Sequence, residues 1–246
     1  MVDAAPASPS RATAKATLSV RGLQSWYGES HVLHGVDLDV REGEVVTLLG
    51  RNGAGKTTTL KSIMGIIGKR SGAITFEGKD ISRASSDSIA RLGVAFCPEE
   101  RGIFSSLNVE ENLMLPPQVR AGGLPLAQIF DLFPNLKERL KSQGTKLSGG
   151  EQQMLAIARI LRTGARFLML DEPTEGLAPV IIQQIGRTIA RLKADGFTIL
   201  LVEQNFRFAS TLADRFYVME HGKIIDTFAN SELQAKMDKL HTYLGV

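Results

Sequence analysis

The sequence is poor in cysteine and in aromatic residues. Cys97 is the single cysteine, so an internal disulfide is excluded, and no cysteine–histidine cluster has the spacing of a zinc site. This usage suits a reducing compartment, and we expect Cys97 to be a small buried apolar residue. Aromatic residues make up only 6% of the chain, which argues against an aromatic-lined platform for RNA or sugar.

Excess charge and long apolar runs are also missing. The net charge is +3, from 29 basic and 26 acidic residues, and without a dense cationic stripe we expect no nucleic-acid partner. The longest apolar runs, residues 45–49 and 197–202, fall far short of the roughly 20 residues that span a bilayer. We therefore expect any role at a membrane to go through a partner.

The length of 246 residues is enough for one large α/β domain with its own core. Residues 1–16 are rich in alanine, serine and proline, and they lack the apolar stretch of roughly 7 to 15 residues that a secretory signal needs. We predict a disordered tail over residues 1–16 and one folded domain over residues 17–246.

The residue patterns alternate between strands and helices. Short β-prone runs at the start of the domain predict an antiparallel β layer, and a buried strand over 45–49 then leads through a glycine-rich loop into a helix. The predicted strands are 18–20, 32–40, 45–49, 73–76, 94–97, 167–170 and 198–202, followed by a hairpin of 216–219 with 223–228, and the predicted helices are 56–67 and 180–194.

The stretch from about residue 100 to residue 163 is mostly helical in pattern, with breaks at prolines and at paired glycines. We predict that it forms an inserted helical subdomain. Because the segments after it restore the order of strand, helix and strand, the sequence predicts an α/β fold with a mostly parallel sheet.

Residues 50–57 match the phosphate-binding loop (P-loop) pattern, and they stand between a predicted strand and a predicted helix. Glycines let backbone N–H groups turn toward a phosphate, Lys56 can reach the β- and γ-phosphates, and the Thr57 hydroxyl can bind Mg2+. A glycine turn that binds nothing is the alternative. The predicted nucleotide-binding residues here are Gly50, Arg51, Asn52, Gly53, Ala54, Gly55, Lys56, Thr57 and Thr58.

Two carboxylates, Asp171 and Glu172, follow the apolar strand 167–170. Such a strand brings Asp171 to the carboxyl edge of the sheet beside the P-loop, where it can hold the Mg2+ shell. Glu172 can then polarise the attacking water as a general base. Taken alone, the segment reads as an ordinary acidic strand end, and the functional interpretation depends on the P-loop.

A second helix start with anion-binding character lies at Ser148-Gly149-Gly150-Glu151, where Ser148 is a candidate N-cap. A capped helix without further function is the simpler interpretation of these residues in isolation. The order of the motifs favours a functional role for this helix start, because Ser148 follows a P-loop and lies 23 residues before Asp171.

Together, the P-loop, Ser148-Gly149-Gly150 and Asp171-Glu172-Pro173-Thr174 resemble the ATP-binding cassette of ABC transporters over about residues 18–228. The resemblance implies a P-loop ATPase core and two ATP molecules held in a head-to-tail dimer. The signature residues Ser148, Gly149, Gly150 and Glu151 would act in trans, with Ser148 and Gly150 at the γ-phosphate. Residues 175–178 stand where the family has the D-loop, which crosses the dimer seam.

Three further positions take their expected roles from the resemblance. Tyr27 stands where the family places an aromatic residue that stacks on adenine, although an edge aromatic is the commoner reading of such a residue. Glu99 replaces a usual glutamine and is expected at Mg2+ with Thr57 and Asp171. Gln204 replaces the histidine switch, and we expect it to sense the γ-phosphate; a polar residue opening a helix is the alternative.

Glu99, Gln204 and residues 176–179 make the chain similar to an ATPase subunit of branched-chain amino acid importers. The resemblance implies ATP and Mg2+ as cofactors, transmembrane permease subunits, a second ATPase subunit that is identical or different, and indirectly a periplasmic or surface substrate-binding protein. It also implies a peripheral place on the cytoplasmic face of the inner membrane. Alternatives are a related urea or amide importer, an exporter, and a non-transport ABC protein.

Overall fold

The computed structural model describes residues 16–244. The predicted tail therefore lies outside the described residues except for Ala16, which begins the first strand. The strands are β1 (Ala16–Tyr27), β2 (Ser30–Arg41), β3 (Val45–Leu49), β4 (Arg70–Phe76), β5 (Lys79–Asp80), β6 (Val94–Cys97), β7 (Phe167–Asp171), β8 (Thr198–Glu203), β9 (Arg215–Glu220) and β10 (Lys223–Ala229).

Helices occupy most of the connections between the strands. They are α1 (Lys56–Ile63), α2 (Ser86–Arg91), α3 (Val109–Met114), α4 (Leu126–Leu132), α5 (Pro134–Glu138), α6 (Gly149–Leu161), α7 (Pro179–Ala194), α8 (Phe206–Ser210) and α9 (Leu233–Leu244). No helix within residues 16–244 is long and apolar enough to cross a membrane.

Two sheets form the framework. A six-stranded sheet has the order β10-β9-β3-β8-β7-β6, in which all neighbours are parallel except the hairpin β9–β10. An antiparallel sheet has the order β2-β1-β4-β5. The predicted α/β class, the mostly parallel sheet and the antiparallel layer are confirmed.

The core lies on both faces of the parallel sheet because successive side chains of a strand point to opposite sides. On β7, Leu168 and Leu170 pack against the face that α6 and α7 cover. Phe167 and Met169 pack on the opposite face, toward α1 and the antiparallel sheet. Burial on both faces explains why the parallel strands are continuous apolar runs.

The stretch predicted as helical contains less helix than expected. Between β6 and β7 the chain forms α3 to α6, while residues 98–108 and 115–125 are outside α-helices. The long segments without helix contain the prolines and paired glycines that interrupt backbone hydrogen bonding. The division into a core and a helical subdomain over about 100–163 stays a prediction.

Helix α1 is shorter than the predicted 56–67. Gly65 follows it with a φ of +74°, which is a left-handed conformation that ends helices. A Cβ at this position would lie 2.8 Å from the carbonyl oxygen of Ala84. The turn after α1 therefore requires glycine, and the helix ends at Ile63.

Candidate functional site

The loop between β3 and α1 depends on glycine at both of its ends. A Cβ at Gly50 would lie 2.5 Å from the carbonyl oxygen of Met219, closer than real Cβ contacts allow. Gly55 has a φ of +109°, and a Cβ there would lie 2.9 Å from the Leu33 side chain. The loop is therefore pressed against β9 and β2, and its backbone turns as the P-loop pattern predicts.

Lys56 begins α1 and is only 4% exposed. Its ammonium donates hydrogen bonds to the carbonyl oxygens of Gly50, at 2.8 Å, and Arg51, at 3.1 Å. It also lies 3.0 Å from Oε1 of Glu172. These contacts hold a positive charge at the mouth of the loop, paired with one of the two predicted carboxylates.

Asp171 ends β7 and is buried. Its Oδ1 accepts a hydrogen bond of 3.1 Å from the Thr57 hydroxyl, whereas its Oδ2 is buried with no hydrogen-bond partner among the described residues. The pKa of Asp171 is raised to about 6, mainly by burial; the hydrogen bond from Thr57 opposes this increase, and the carboxylates of Glu172 and Glu99 contribute to it.

This arrangement fits a divalent cation. A hydroxyl and a carboxylate are oxygen ligands of the kind that Mg2+ prefers, with substrate phosphates and water completing the shell. The unpartnered oxygen and the nearby negative charges would both gain from a cation. Within the described part of the chain, no three or more histidine, cysteine, aspartate or glutamate side chains form a metal-binding group by themselves.

Glu172 has an unusual backbone for a residue with a side chain. Its φ is +44°, in the left-handed region where a non-glycine residue is strained. Its N–H donates to the carbonyl oxygen of Val202 at 3.0 Å, and its side chain is 8% exposed. Strain of this kind is concentrated at functional sites, where the surroundings hold it in place.

A cleft of about 350 Å³ brings these parts together. It joins the P-loop to three acidic side chains that are distant in sequence, and Val32 of β2 completes its wall. The lining residues are Val32, Asn52, Gly53, Gly55, Lys56, Thr57, Thr58, Glu99, Glu172 and Glu175. Of the predicted metal residues, Glu99 and Thr57 line the cleft, and Asp171 adjoins it through its hydrogen bond with Thr57.

The predicted signature residues lie away from this cleft. Ser148 is the N-cap of α6, as predicted, and forms a capping box: its hydroxyl accepts from the N–H of Glu151 at 3.3 Å, and the Glu151 carboxylate accepts from the N–H of Ser148 at 2.7 Å. Ser148 is exposed and Gly149 is partly exposed. Gly150 is buried against Ile181 of α7.

Tyr27 and Gln204 also lie outside the lining of the cleft. Tyr27 ends β1 with 51% of its surface exposed. Gln204 is exposed at the bend between β8 and α8. The cap of α8 is Asn205, whose side chain accepts from the N–H of Phe208 at 3.1 Å, so Gln204 does not itself cap the helix.

Sequence reasoning missed Glu203. It ends β8, is 2% exposed and accepts hydrogen bonds from the Thr174 hydroxyl at 2.8 Å and the Asn205 N–H at 3.2 Å. Burial raises its pKa to about 7, the Glu172 carboxylate also raises it, and the hydrogen bonds from Thr174 and Asn205 oppose this. The available signal was a carboxylate closing an otherwise apolar strand.

Cys97 fulfils its prediction. It is buried at the end of β6, and burial raises its pKa to about 12. A thiol with this pKa stays protonated at neutral pH and behaves as an apolar side chain.

The ABC transporter family model matches residues 33–175, which include the P-loop, the signature and both carboxylates. The chain belongs to the ABC transporter family. As a member it is an ATPase, and the predicted family is confirmed. The family model matches more than half of the chain, and the residues beyond the match include β8 and the hairpin β9–β10.

The chain is similar to ATP-binding subunits of different transporters. It is 42% identical to the high-affinity branched-chain amino acid transport ATP-binding protein BraG of Pseudomonas aeruginosa, over 93% of this chain and 99% of that one. It is 35% identical to the lipopolysaccharide export system ATP-binding protein LptB of Escherichia coli, over 94% and 98%.

A solved structure supports the fold. A nucleotide-free ATP-binding cassette from an ABC transporter superposes with a TM-score of 0.79 at 26% identity, covering 91% of this chain and 96% of that one. The arrangement of the two sheets described above is therefore that of an ABC cassette.

Proposed function

We propose that the cleft binds Mg-ATP and hydrolyses the bond to the γ-phosphate. The observation that carries the proposal is the convergence of Lys56, the Thr57–Asp171 pair and Glu172 around one cleft, with one Asp171 oxygen left without a partner. Residues 50–58 would surround the phosphates with backbone N–H groups at the start of α1.

Lys56 and Glu172 give the proposal its mechanism. Their side chains form an ion pair of 3.0 Å, so the ammonium neutralises the carboxylate. Phosphate oxygens would compete for the same ammonium, because they carry more negative charge than a single carboxylate. As Lys56 turns to the phosphates, Glu172 loses its counter-ion and becomes the acceptor for a proton of the attacking water.

Thr57 and Asp171 are the proposed cation ligands, with Glu99 nearby in the cleft. Mg2+ bound there would neutralise charge that develops on the phosphate oxygens. The side chains themselves hold the site ready: the Thr57 hydroxyl fixes one oxygen of Asp171, and the other oxygen stays available.

We propose that the signature residues Ser148 to Glu151 serve the ATP of a second ATPase subunit. Two observations support this: these residues are not among those that line the chain's own cleft, and the start of α6 is capped with Ser148 exposed, so that a phosphate can reach it from another subunit. Residues 175–178 would cross the seam of that dimer. The second subunit is either another copy or a different ATPase.

We propose that Tyr27 and Gln204 contact the bound nucleotide, Tyr27 at the adenine and Gln204 at the γ-phosphate. Tyr27 offers an exposed ring for adenine, and a ring of this kind can stack on a base. Gln204 offers an amide that donates and accepts without titrating near neutral pH. Gln204 lies one residue beyond β8, the strand that pairs with β3 and β7.

We propose that the chain drives import of branched-chain or related amino acids. The similarity to BraG over nearly the whole chain supports this, and the similarity to an export ATPase keeps an exporter as the second candidate. The partners would be transmembrane permease subunits and, indirectly, a substrate-binding protein. The subunit would sit peripherally on the cytoplasmic face of the membrane.

Two measurements test these proposals. Copurification of the intact complex, with identification of its subunits, should yield permease proteins together with one or two kinds of ATPase. Glu172→Gln should bind ATP, accumulate as a closed dimer on size-exclusion chromatography with Mg-ATP, and hydrolyse slowly, since an amide accepts no proton. Turnover at the parent rate in this variant would remove Glu172 from its role.

A further inference from the structure

Glu203 is a buried carboxyl group that the proposed hydrolysis leaves without a role. It ends β8, between β3, which leads into the P-loop, and β7, which ends in Asp171. Burial of a carboxyl group is unfavourable unless hydrogen bonds compensate for it. Its hydrogen bonds are therefore the feature that needs a physical explanation.

Those hydrogen bonds join two loops. Oε1 accepts from the hydroxyl of Thr174 at 2.8 Å, and both residues are almost fully buried. Oε2 accepts from the N–H of Asn205 at 3.2 Å. Thr174 follows Glu172 by two residues, and Asn205 directly follows Gln204. One carboxyl group thus links the turn that carries Glu172 to the turn that carries Gln204.

The Glu172 turn needs such a link. The residue has a φ of +44°, and a strained backbone persists only where several contacts determine it. The backbone supplies three nearby bonds: from the Glu172 N–H to the Val202 carbonyl, from the Glu175 N–H to the Glu172 carbonyl, and from the Leu177 N–H to the Thr174 carbonyl. On the far side of this turn, Thr174 bonds to the Glu203 carboxyl group through its hydroxyl and also through its backbone N–H, and these bonds tie the turn to the end of β8.

We propose that Glu203 is a positioning residue, which holds the Glu172 carboxylate in its reactive place by anchoring Thr174. The proposal rests on the proposed role of Glu172 as base. Through Asn205 the same carboxyl group ties the start of α8 to this turn, so that Gln204 and Glu172 move together. Glu203 itself is not among the residues that line the cleft.

Thr174 is the better position for the test, because its substitution leaves the charge of the site unchanged. Thr174→Val keeps the shape and removes the hydroxyl, whereas Thr174→Ser keeps the hydroxyl. Turnover and KM for Mg-ATP are measured in the intact transporter, with the site of any different ATPase partner disabled. Small errors in position reduce catalysis strongly.

We expect Thr174→Val to lower kcat about tenfold or more with KM within about twofold, and Thr174→Ser to restore kcat. Glu203→Met, which removes both acceptor oxygens, should lower kcat as well, and adding Thr174→Val to it should lower kcat little further, because each change removes the bond between the Thr174 hydroxyl and residue 203. Thr188→Val is the matched control: Thr188 is also buried, and its hydroxyl bonds only to the Gln184 carbonyl of its own helix. This control should keep the parent kcat.

Two outcomes would overturn the proposal: a parent kcat in Thr174→Val, or equal losses in Thr174→Val and Thr174→Ser. Measurements in the Glu172→Gln background distinguish a failure of this proposal from a failure of the proposed role of Glu172 as base. If Glu172 is the base, Thr174→Val should not reduce the residual turnover of Glu172→Gln any further. A Glu172→Gln variant with parent turnover would instead refute the base itself.

Discussion

The ion pair of Lys56 and Glu172 makes a quantitative prediction about stability. The two charges lie 3.0 Å apart, with side chains 3% and 8% exposed. The perturbation is removal of one charge or of both, by Lys56→Met, by Glu172→Gln and by the double substitution.

The magnitudes follow from burial. With an effective dielectric constant of about 20, unit charges at this distance attract each other by about 5 kcal/mol, and desolvation offsets much of this. Lys56→Met leaves a buried carboxylate without its partner, which should destabilise the fold by about 3 kcal/mol. Glu172→Gln should destabilise it by only about 1 kcal/mol, because Lys56 retains the carbonyl oxygens of Gly50 and Arg51.

The double substitution should be more stable than Lys56→Met alone by about 1 to 2 kcal/mol, since it leaves no unpaired buried charge. Urea unfolding without added nucleotide, near pH 7.5, measures the free energy of unfolding of the parent, the two single variants and the double variant. Lys61→Met is the control. Lys61 and Glu100 are 3.6 Å apart with side chains 26% and 68% exposed, so the loss should be below about 1 kcal/mol.

The reasoning would be refuted by additive effects, in which the double substitution loses as much as the two single ones together. It would also be refuted if Lys56→Met and Lys61→Met were equally stable. Either result would mean that the carboxylate of Glu172 reaches solvent once Lys56 is removed, and that phosphate need not displace a buried ion pair.

Three further outcomes are expected. Gly50→Ala should impair nucleotide binding because its Cβ would meet the Met219 carbonyl oxygen at 2.5 Å; unchanged ATP affinity by calorimetry would contradict this. Gln204→Ala should lower ATPase turnover about tenfold. Gln204→His should make the turnover depend on pH at about 6.5, the ordinary pKa of histidine. If Gln204→Ala turned over ATP at the parent rate at every pH, Gln204 would not sense the γ-phosphate. The pKa of Glu203 rises from 4.5 to about 7 on folding, so its stabilising contribution is complete below about pH 4.5 and disappears as the pH rises through about 7. As the pH rises from about 5 to about 8, the free energy of unfolding of Glu203→Gln should therefore increase by about 2 kcal/mol relative to that of the parent, as measured by urea unfolding. A difference that does not change with pH would contradict the burial argument.

The residues that sequence reasoning identified are those with local patterns. The P-loop and the pair Asp171-Glu172 have fixed neighbours in sequence, and the strands on either side are apolar runs that burial on both faces requires. The carboxyl ends of parallel strands meet at one edge. The approach of Asp171 to Thr57 was therefore expected from the parallel direction of the strands.

The contacts that sequence reasoning missed join residues far apart in sequence. Nothing near Glu203 in the sequence indicates that Thr174 will bind it, because the contact depends on two turns that follow different strands. The left-handed backbone of Glu172 was missed for a similar reason, since a glutamate does not favour that conformation by itself. The limits of the helical stretch were uncertain because several short helices with irregular connections lack a sustained 3.6-residue period.

The capping box of α6 determines what its serine can offer a partner. A hydroxyl has one hydrogen to donate and two lone pairs to accept with, and Ser148 uses a lone pair to accept from the Glu151 N–H. The same hydroxyl also donates to the Glu151 carboxylate, which helps to lower the pKa of Glu151, so a phosphate oxygen of a second subunit would have to take this hydrogen over from Glu151. The bond from the Glu151 N–H to the Ser148 oxygen would survive that exchange, so in the proposed dimer the helix would keep its cap while it binds a phosphate, and this helix end would not have to refold.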